Sequence, residues 1–192
     1  MNTPFSIIHN EIVETSLKSK SITSTQVKQL LSKEVFSLQD LPILLSPAAA
    51  EHIETIAALA NTLSKKRFGN TIQIFVPMYL SNLCYNKCTY CDFSIDNKVK
   101  RIVLSDEKIV EEAKILSKKG FKHILLLTGE AEPTVGPDYI SNAIKLMSPY
   151  FSSVGIEVQP LTKEGYQQVF DAGCDSITLY QETYNKDAYK KF

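Results

Sequence analysis

The chain carries no excess of either charge: 21 Lys and Arg balance 21 Asp and Glu over 192 residues. That removes the basic field that nucleic-acid binding draws on, and leaves no acidic tail. No apolar run approaches the roughly 20 residues a membrane span needs. The polar N-terminus lacks the apolar core of a signal peptide. Cysteine is scarce, with four residues, and three of them crowd between Cys84 and Cys91. Such crowding is not the spacing of a secreted disulfide framework. The expectation is a cytoplasmic protein with reduced thiols, and neither nucleic acid nor membrane as partner. The 44% hydrophobic content is ordinary, and the length can bury a core in one large or two small domains.

Residues 1–70 read as a helical N-terminal extension. Ile7, Ile8, Ile12 and Leu17 have the spacing of one helix face. Ser24 and Thr25 offer hydroxyl caps for a short helix carrying Val27, Leu30, Leu31 and Val35. Ser46 is placed as an N-cap, with Pro47 at the first helical position. The helix it opens, over 48–67, has Ile53, Ile56, Ala57, Ala60 and Leu63 on one face, for packing against a core.

From residue 71 the pattern changes to strands alternating with helices. Strand 71–76 belongs to an apolar run, Ile72 to Leu80, that leads into the cysteines. A helix over 105–119 follows and stops at Gly120. Strand 123–127 ends in Thr128-Gly129-Glu130, and a helix spans 138–150. Strand 154–159 ends at Pro160, and helix 162–172 ends at Gly173. Strand 176–180 ends in Gln181-Glu182-Thr183-Tyr184. Near-continuous apolar strands separated by helices indicate a parallel sheet covered by helices. Doubly wound sheets and (β/α)8 barrels both fit, and both place chemistry at the C-terminal strand ends. Polar residues gather at four such ends: the cysteine loop, Thr128 to Glu130, Glu157 with Gln159, and Gln181 with Glu182. A closed barrel needs eight strands and roughly 250 residues. The expectation is therefore the first half of a longer protein.

The cysteines follow C-x3-C-x2-C, as Cys84, Cys88 and Cys91. Structural zinc wants four ligands; His9, His52, His123 and Cys174 are all distant in sequence, though any of them could supply the fourth in space, so zinc stays open. A redox pair of Cys88 with Cys91 would leave Cys84 without a role. An iron–sulfur cluster suits thiolates on a short loop. Three ligands for a four-iron cluster would leave one iron open to a substrate or cofactor.

This cysteine spacing, with Tyr90 just before the third cysteine, resembles the radical S-adenosylmethionine (SAM) superfamily. Thr128-Gly129-Glu130 is similar to that superfamily's Gly-Gly-Glu motif, with Thr at its first position. Four stretches resemble 2-iminoacetate synthase, the tyrosine lyase of thiamine biosynthesis. They are Phe75 to Cys84, Leu127 to Glu130, Glu157 to Leu161, and Tyr180 to Tyr184. The likeness runs from about residue 40 onward, in order, with each match at a strand end. Asp92 departs from it, because the family usually has Gly after the last cysteine.

The resemblance implies an α/β fold: a (β/α)8 TIM-barrel-type radical SAM fold of which residues 71–192 hold about the first four units. It implies a [4Fe–4S] cluster on Cys84, Cys88 and Cys91, with SAM on the open iron. Glu130 would accept a hydrogen bond from the SAM ammonium, with Thr128 and Gly129 allowing close backbone approach. Gln181 and Glu182 would face SAM ribose or the substrate. Glu157 and Gln159, two residues apart on one strand face, would point into the barrel. Asn82 would fix the loop, while Lys100 and Arg101 read as solvated charges and Cys174 as a small buried residue. The implied partners are L-tyrosine, thiazole synthase, and a reductant such as flavodoxin or ferredoxin. Two alternatives remain: the tyrosine lyase of [FeFe]-hydrogenase cofactor maturation, and an inactive metal-binding scaffold.

Overall fold

The computed structural model describes residues 14, 15, 17–183 and 185–191. The chain divides into two compact units between Thr71 and Ile72. The first unit is helical. Helix α1, Ser24–Leu31, is capped by Thr23, one residue earlier than the sequence suggests. The reason is Gln26: its amide oxygen accepts the Thr23 N–H at 2.9 Å while the Thr23 hydroxyl accepts the Gln26 N–H. This reciprocal box needs a Gln or Glu three residues after the cap. Val27 and Leu30 are buried, but Val35 lies beyond the helix and is exposed. A 3-10 turn, Leu38–Asp40, leads to the short α2, Leu41–Leu44.

A second 3-10 turn, Pro47–His52, precedes α3, Ile53–Phe68, where the sequence suggests one continuous helix. Ser46 starts the turn, but its hydroxyl donates to the Ile43 carbonyl at 2.7 Å instead of capping. No residue of α3 is fully buried: on the expected packing face Ile56 is half-buried, while Ile53, Ala57, Ala60 and Leu63 are exposed. Small apolar residues there are interleaved with Glu, Thr and Lys, which makes a weak stripe. Ile7, Ile8 and Ile12 lie outside the described residues, and Leu17 is exposed. Among the described residues no single helix is long and apolar enough to cross a membrane.

The second unit alternates strand and helix: β1 Phe75–Ser81, α4 Asp106–Lys118, β2 His123–Thr128, α5 Pro137–Met147, β3 Ser153–Glu157, α6 Lys163–Asp171, β4 Ser176–Ile177 and α7 Lys186–Tyr189. Local chemistry sets these bounds. The Ser105 hydroxyl caps α4 by accepting from Lys108 N–H, and the Thr162 hydroxyl caps α6 by accepting from Gly165 N–H. Gly120 and Gly173, at φ 95° and 105°, stop the helices in a conformation other residues avoid.

All strands are parallel and stand in the order β1-β2-β3-β4. Neighbours in sequence are thus neighbours in the sheet, as in a β/α barrel; a doubly wound sheet reverses direction at a switch point. One core joins a single face of the sheet to the helices. Met78, Leu80, Ile124, Leu126, Val154 and Ile156 pack there with Ile109 and Ala113 of α4, Ile140 and Ile144 of α5, and Val169 of α6. The other face carries Phe75, Tyr79, Leu125, Leu127 and Glu157 by the strand alternation.

β1 begins at Phe75 and runs to Ser81, later than the 71–76 that the sequence suggests. Its pairing starts with Phe75 opposite His123, so β2 sets the register and residues 71–74 stay outside the sheet. β4 is shorter than expected: its ladder to β3 spans two residues, extended by one bond from Thr178 N–H to the Ile156 carbonyl. Leu126, fully buried in β2, tests the core. Leu126→Ala should cost about 2–5 kcal/mol in urea unfolding; a loss below about 1 kcal/mol would contradict a core centred on that strand.

Candidate functional site

The site begins with a register shift in β1. Tyr79 pairs with Leu127 but Ser81 pairs with Thr128, so Leu80 is an extra residue. A bulge of this kind re-aims the chain, and here it turns into the cysteine loop. The Ser81 hydroxyl accepts the Leu83 N–H at 3.0 Å. The loop returns beside its own root, where Ser81 bridges Val103 antiparallel. The Asn82 side chain clasps both ends, donating to the Lys100 carbonyl at 2.8 Å and accepting the Ile102 N–H at 2.7 Å. Asn82 therefore fixes the loop, as expected. From α5, the Tyr139 hydroxyl donates to the carbonyls of Leu80 and Leu104 at 3.2 and 2.9 Å. Burial pushes that phenol up to about 12, so it stays a protonated donor.

Arg101 corrects the expectation of a solvated charge. Its guanidinium donates to four loop carbonyls: Asn82 at 2.9 Å, Phe93 at 2.8 Å, Ser94 at 2.6 Å and Asn97 at 3.2 Å. The planar fork of arginine, with its five N–H donors, can serve all four acceptors at once. The Asn97 side chain adds bonds to the carbonyls of Cys91 and Asp92 at 3.2 and 3.3 Å. No non-glycine described residue has positive φ, so the turn after Cys91 accepts Asp92 without strain.

The end of β2 is sewn to this loop. Gly129 N–H donates to the Ser81 carbonyl at 3.1 Å, and Tyr85 N–H donates to the Glu130 carbonyl at 2.9 Å. A Cβ on Gly129 would overlap the Leu83 carbonyl oxygen and stand 2.8 Å from the Cys84 Cβ. Gly129 thus serves close approach between two protein segments. The Glu130 side chain is exposed, and Asn86 donates to its Oε2 at 2.6 Å.

At the end of β3 the outcome is divided. Gln159 is buried and satisfied within the protein: it accepts from the Thr128 hydroxyl at 3.3 Å and donates to the Val135 carbonyl at 3.1 Å. Glu157 is half-buried on the face opposite the helices. Past β4, Glu182 comes to the cysteine loop, where the Tyr90 phenol sits against it and Cys88. Desolvation first, then Cys88 and Glu182, push that phenol well above its ordinary range. Gln181 is not drawn in; its amide donates to the Thr183 carbonyl at 2.9 Å. Tyr184 lies outside the described residues.

Cys84 is buried, Cys88 and Cys91 are half-buried, and all three are free thiols. Among the described residues no three His, Cys, Asp or Glu side chains are drawn together closely enough to hold a metal ion. Within this unit the remaining histidine and cysteine stand away from the loop. His123 starts β2 at the opposite strand end, and Cys174 precedes β4 in the core, its Sγ on the Ser176 carbonyl at 3.2 Å. Three thiols on a short loop, with neither the histidine nor the fourth cysteine of this unit beside them, fit an iron–sulfur site with one iron free of protein ligands.

The family model of the radical SAM superfamily matches residues 78–192. The chain belongs to the radical SAM superfamily. Membership implies a [4Fe–4S] cluster and S-adenosyl-L-methionine as cofactors. The chain is 44% identical over 173 residues to 2-iminoacetate synthase of Salmonella typhimurium, covering 90% of this chain and 46% of that one. It is 40% identical over 175 residues to the same enzyme of Escherichia coli, covering 91% and 46%. It thus spans about half the length of these relatives. The crystal structure of HydG, a maturase of the [FeFe]-hydrogenase, superposes with a TM-score of 0.88 at 26% identity, over 95% of this chain and 42% of that one. The four β/α units are accordingly part of a radical SAM barrel.

The sequence pattern leaves Asn86 unmarked and makes Arg101 look like a surface charge. Asn86 stands two positions after Cys84, an amide facing a distant carboxylate. Arg101 ends a charged run whose partners are main-chain carbonyls, so no side-chain pattern reveals it. Arg101→Lys keeps the charge but loses the fork. Measured after anaerobic iron and sulfide loading, it should lose its iron to a chelator at least about tenfold faster than wild type, the equivalent of one lost charge-assisted bond. Equal retention would show that the four bonds do not stabilise the loop.

Proposed function

We propose that this chain holds the cluster-binding and SAM-binding part of a radical SAM tyrosine lyase that cleaves the Cα–Cβ bond of L-tyrosine. The products are 2-iminoacetate and p-cresol, the former destined for the thiazole of thiamine. The observation that carries the reading is the 44% and 40% identity to two 2-iminoacetate synthases over nine-tenths of the chain. In this reading Cys84, Cys88 and Cys91 would hold the cluster as its thiolate ligands and leave it accessible to SAM. When bound and reduced, the cluster would supply the electron for reductive cleavage of SAM, the chemistry that starts hydrogen abstraction from tyrosine.

The protein's own residues position and shield. Glu130 accepts from the SAM ammonium. Thr128 and Gln159 form the polar floor beside it, already paired with each other. Glu182, held at Tyr90, and the inward-facing Glu157 stand toward SAM ribose or tyrosine. Gln181 would have to release Thr183 to join them. Thiazole synthase would take up the imine, and flavodoxin or ferredoxin would supply the electron.

A second reading has support in the likeness to the HydG maturase structure. Both readings begin by breaking tyrosine, so the fate of the small fragment separates them. The test is anaerobic reconstitution, reduction with dithionite, and product analysis with SAM and L-tyrosine. The expected result is a brown protein with about four irons per chain, yielding 5′-deoxyadenosine, p-cresol and glyoxylate from hydrolysis of the imine. Cys88→Ala should lose the cluster and all SAM cleavage. Cleavage of SAM without p-cresol would overturn tyrosine as substrate, and diatomic products from the fragment would favour the maturase reading. A colourless protein holding one zinc would overturn the radical mechanism.

A further inference from the structure

Glu130 is placed by the cysteine loop rather than by its own strand. Its carbonyl accepts the Tyr85 N–H at 2.9 Å, and the preceding Gly129 N–H donates to Ser81 at 3.1 Å. Those bonds fix its main chain. They leave an exposed side chain with three torsions, which would sweep a wide volume if nothing held it. The contact that holds it is Asn86, whose Nδ2 donates to Oε2 at 2.6 Å. Asn86 is itself anchored, because its carbonyl accepts the Ile95 N–H at 2.8 Å. The segment between Cys84 and Cys88 is thereby joined to the segment after Cys91. An amide suits this position because it occupies one carboxylate oxygen, leaves the other as an acceptor, and brings no charge to compete with a cation. The one cation within Cys84–Cys91, Lys87, pairs elsewhere, with Asp96 at 3.8 Å.

We propose that Asn86 is a positioning residue that aims the free oxygen of Glu130 at the ammonium of the methionine moiety of SAM. The cysteine loop and the ammonium acceptor then form one preorganised part. This inference rests on the reading of Glu130 as that acceptor. It assigns Asn86 no contact with SAM, so its effect must pass through Glu130.

The test is a double-mutant cycle on the iron-loaded full chain, with SAM affinity measured by equilibrium dialysis of labelled SAM and iron content measured beforehand. Asn86→Ala and Glu130→Gln should each weaken SAM binding about tenfold, the size of a charge-assisted bond. The double variant should bind no worse than Glu130→Gln alone, because residues acting in series do not add. Asn86→Asp, which sets a second carboxylate against Glu130, should bind at least as weakly as Asn86→Ala. Wild-type affinity in Asn86→Ala, or a double variant whose loss is the product of the single losses, would overturn the role of Asn86 alone. Unchanged affinity in Glu130→Gln would overturn the acceptor reading and this inference with it. Should Asn86→Ala fail to hold iron, Asn86→Asp takes its place in the cycle. Loss of iron from both would overturn the proposal, because Asn86 would then serve the loop and not Glu130.

Discussion

The site depends on a main-chain seam between the end of β2 and the root of the cysteine loop. Ser81 accepts from Gly129, Glu130 accepts from Tyr85, and between those two bonds Gly129 lies flat under Leu83 and Cys84. Any side chain at Gly129 would part the two segments. Backbone bonds of this kind are short and directional, so they place the first cysteine and the candidate acceptor carboxylate in one frame. The sheet core beneath, with Leu80, Leu126 and Ile156 fully buried, makes that frame rigid.

The rest of the loop hangs from that seam and is stabilised from within. A twenty-residue excursion from Asn82 to Arg101 has little core of its own. Polar bonds take the place of burial: Asn82 across the neck, Arg101 on four carbonyls, Asn97 on two more, and Tyr139 from the helix layer. Their donors answer carbonyls that would otherwise lack partners wherever the loop turns from water. The outcome is a loop whose backbone is specified by hydrogen bonds.

Periodicity and caps made most of the β/α order legible. Ser105 and Thr162 mark helix starts, Gly120 and Gly173 mark helix ends, and the cysteine spacing stands out against a chain otherwise poor in cysteine. Register was not legible. A continuous apolar run such as Ile72 to Leu80 holds no internal mark of where pairing begins, and the partner strand decides it at Phe75. Nor was the tethering of side chains to distant carbonyls. Arg101 looked like surface charge because its acceptors are peptide oxygens, which every residue has. Gln159, read as pointing into the barrel, turned to Thr128 and Val135, a choice made by tertiary proximity. In the helical unit, Thr23 took the cap from Ser24 and Thr25 because Gln26 completes the reciprocal bond.

Every functional step above requires that Cys84, Cys88 and Cys91 hold a four-iron cluster whose remaining iron is open to SAM. Mössbauer spectroscopy of the chain loaded with isotopically enriched iron examines that requirement without relying on turnover. One iron in about four is expected to show distinct parameters, which shift when SAM is added while the other three stay unchanged. A spectrum without a SAM-responsive iron would contradict the three-cysteine site.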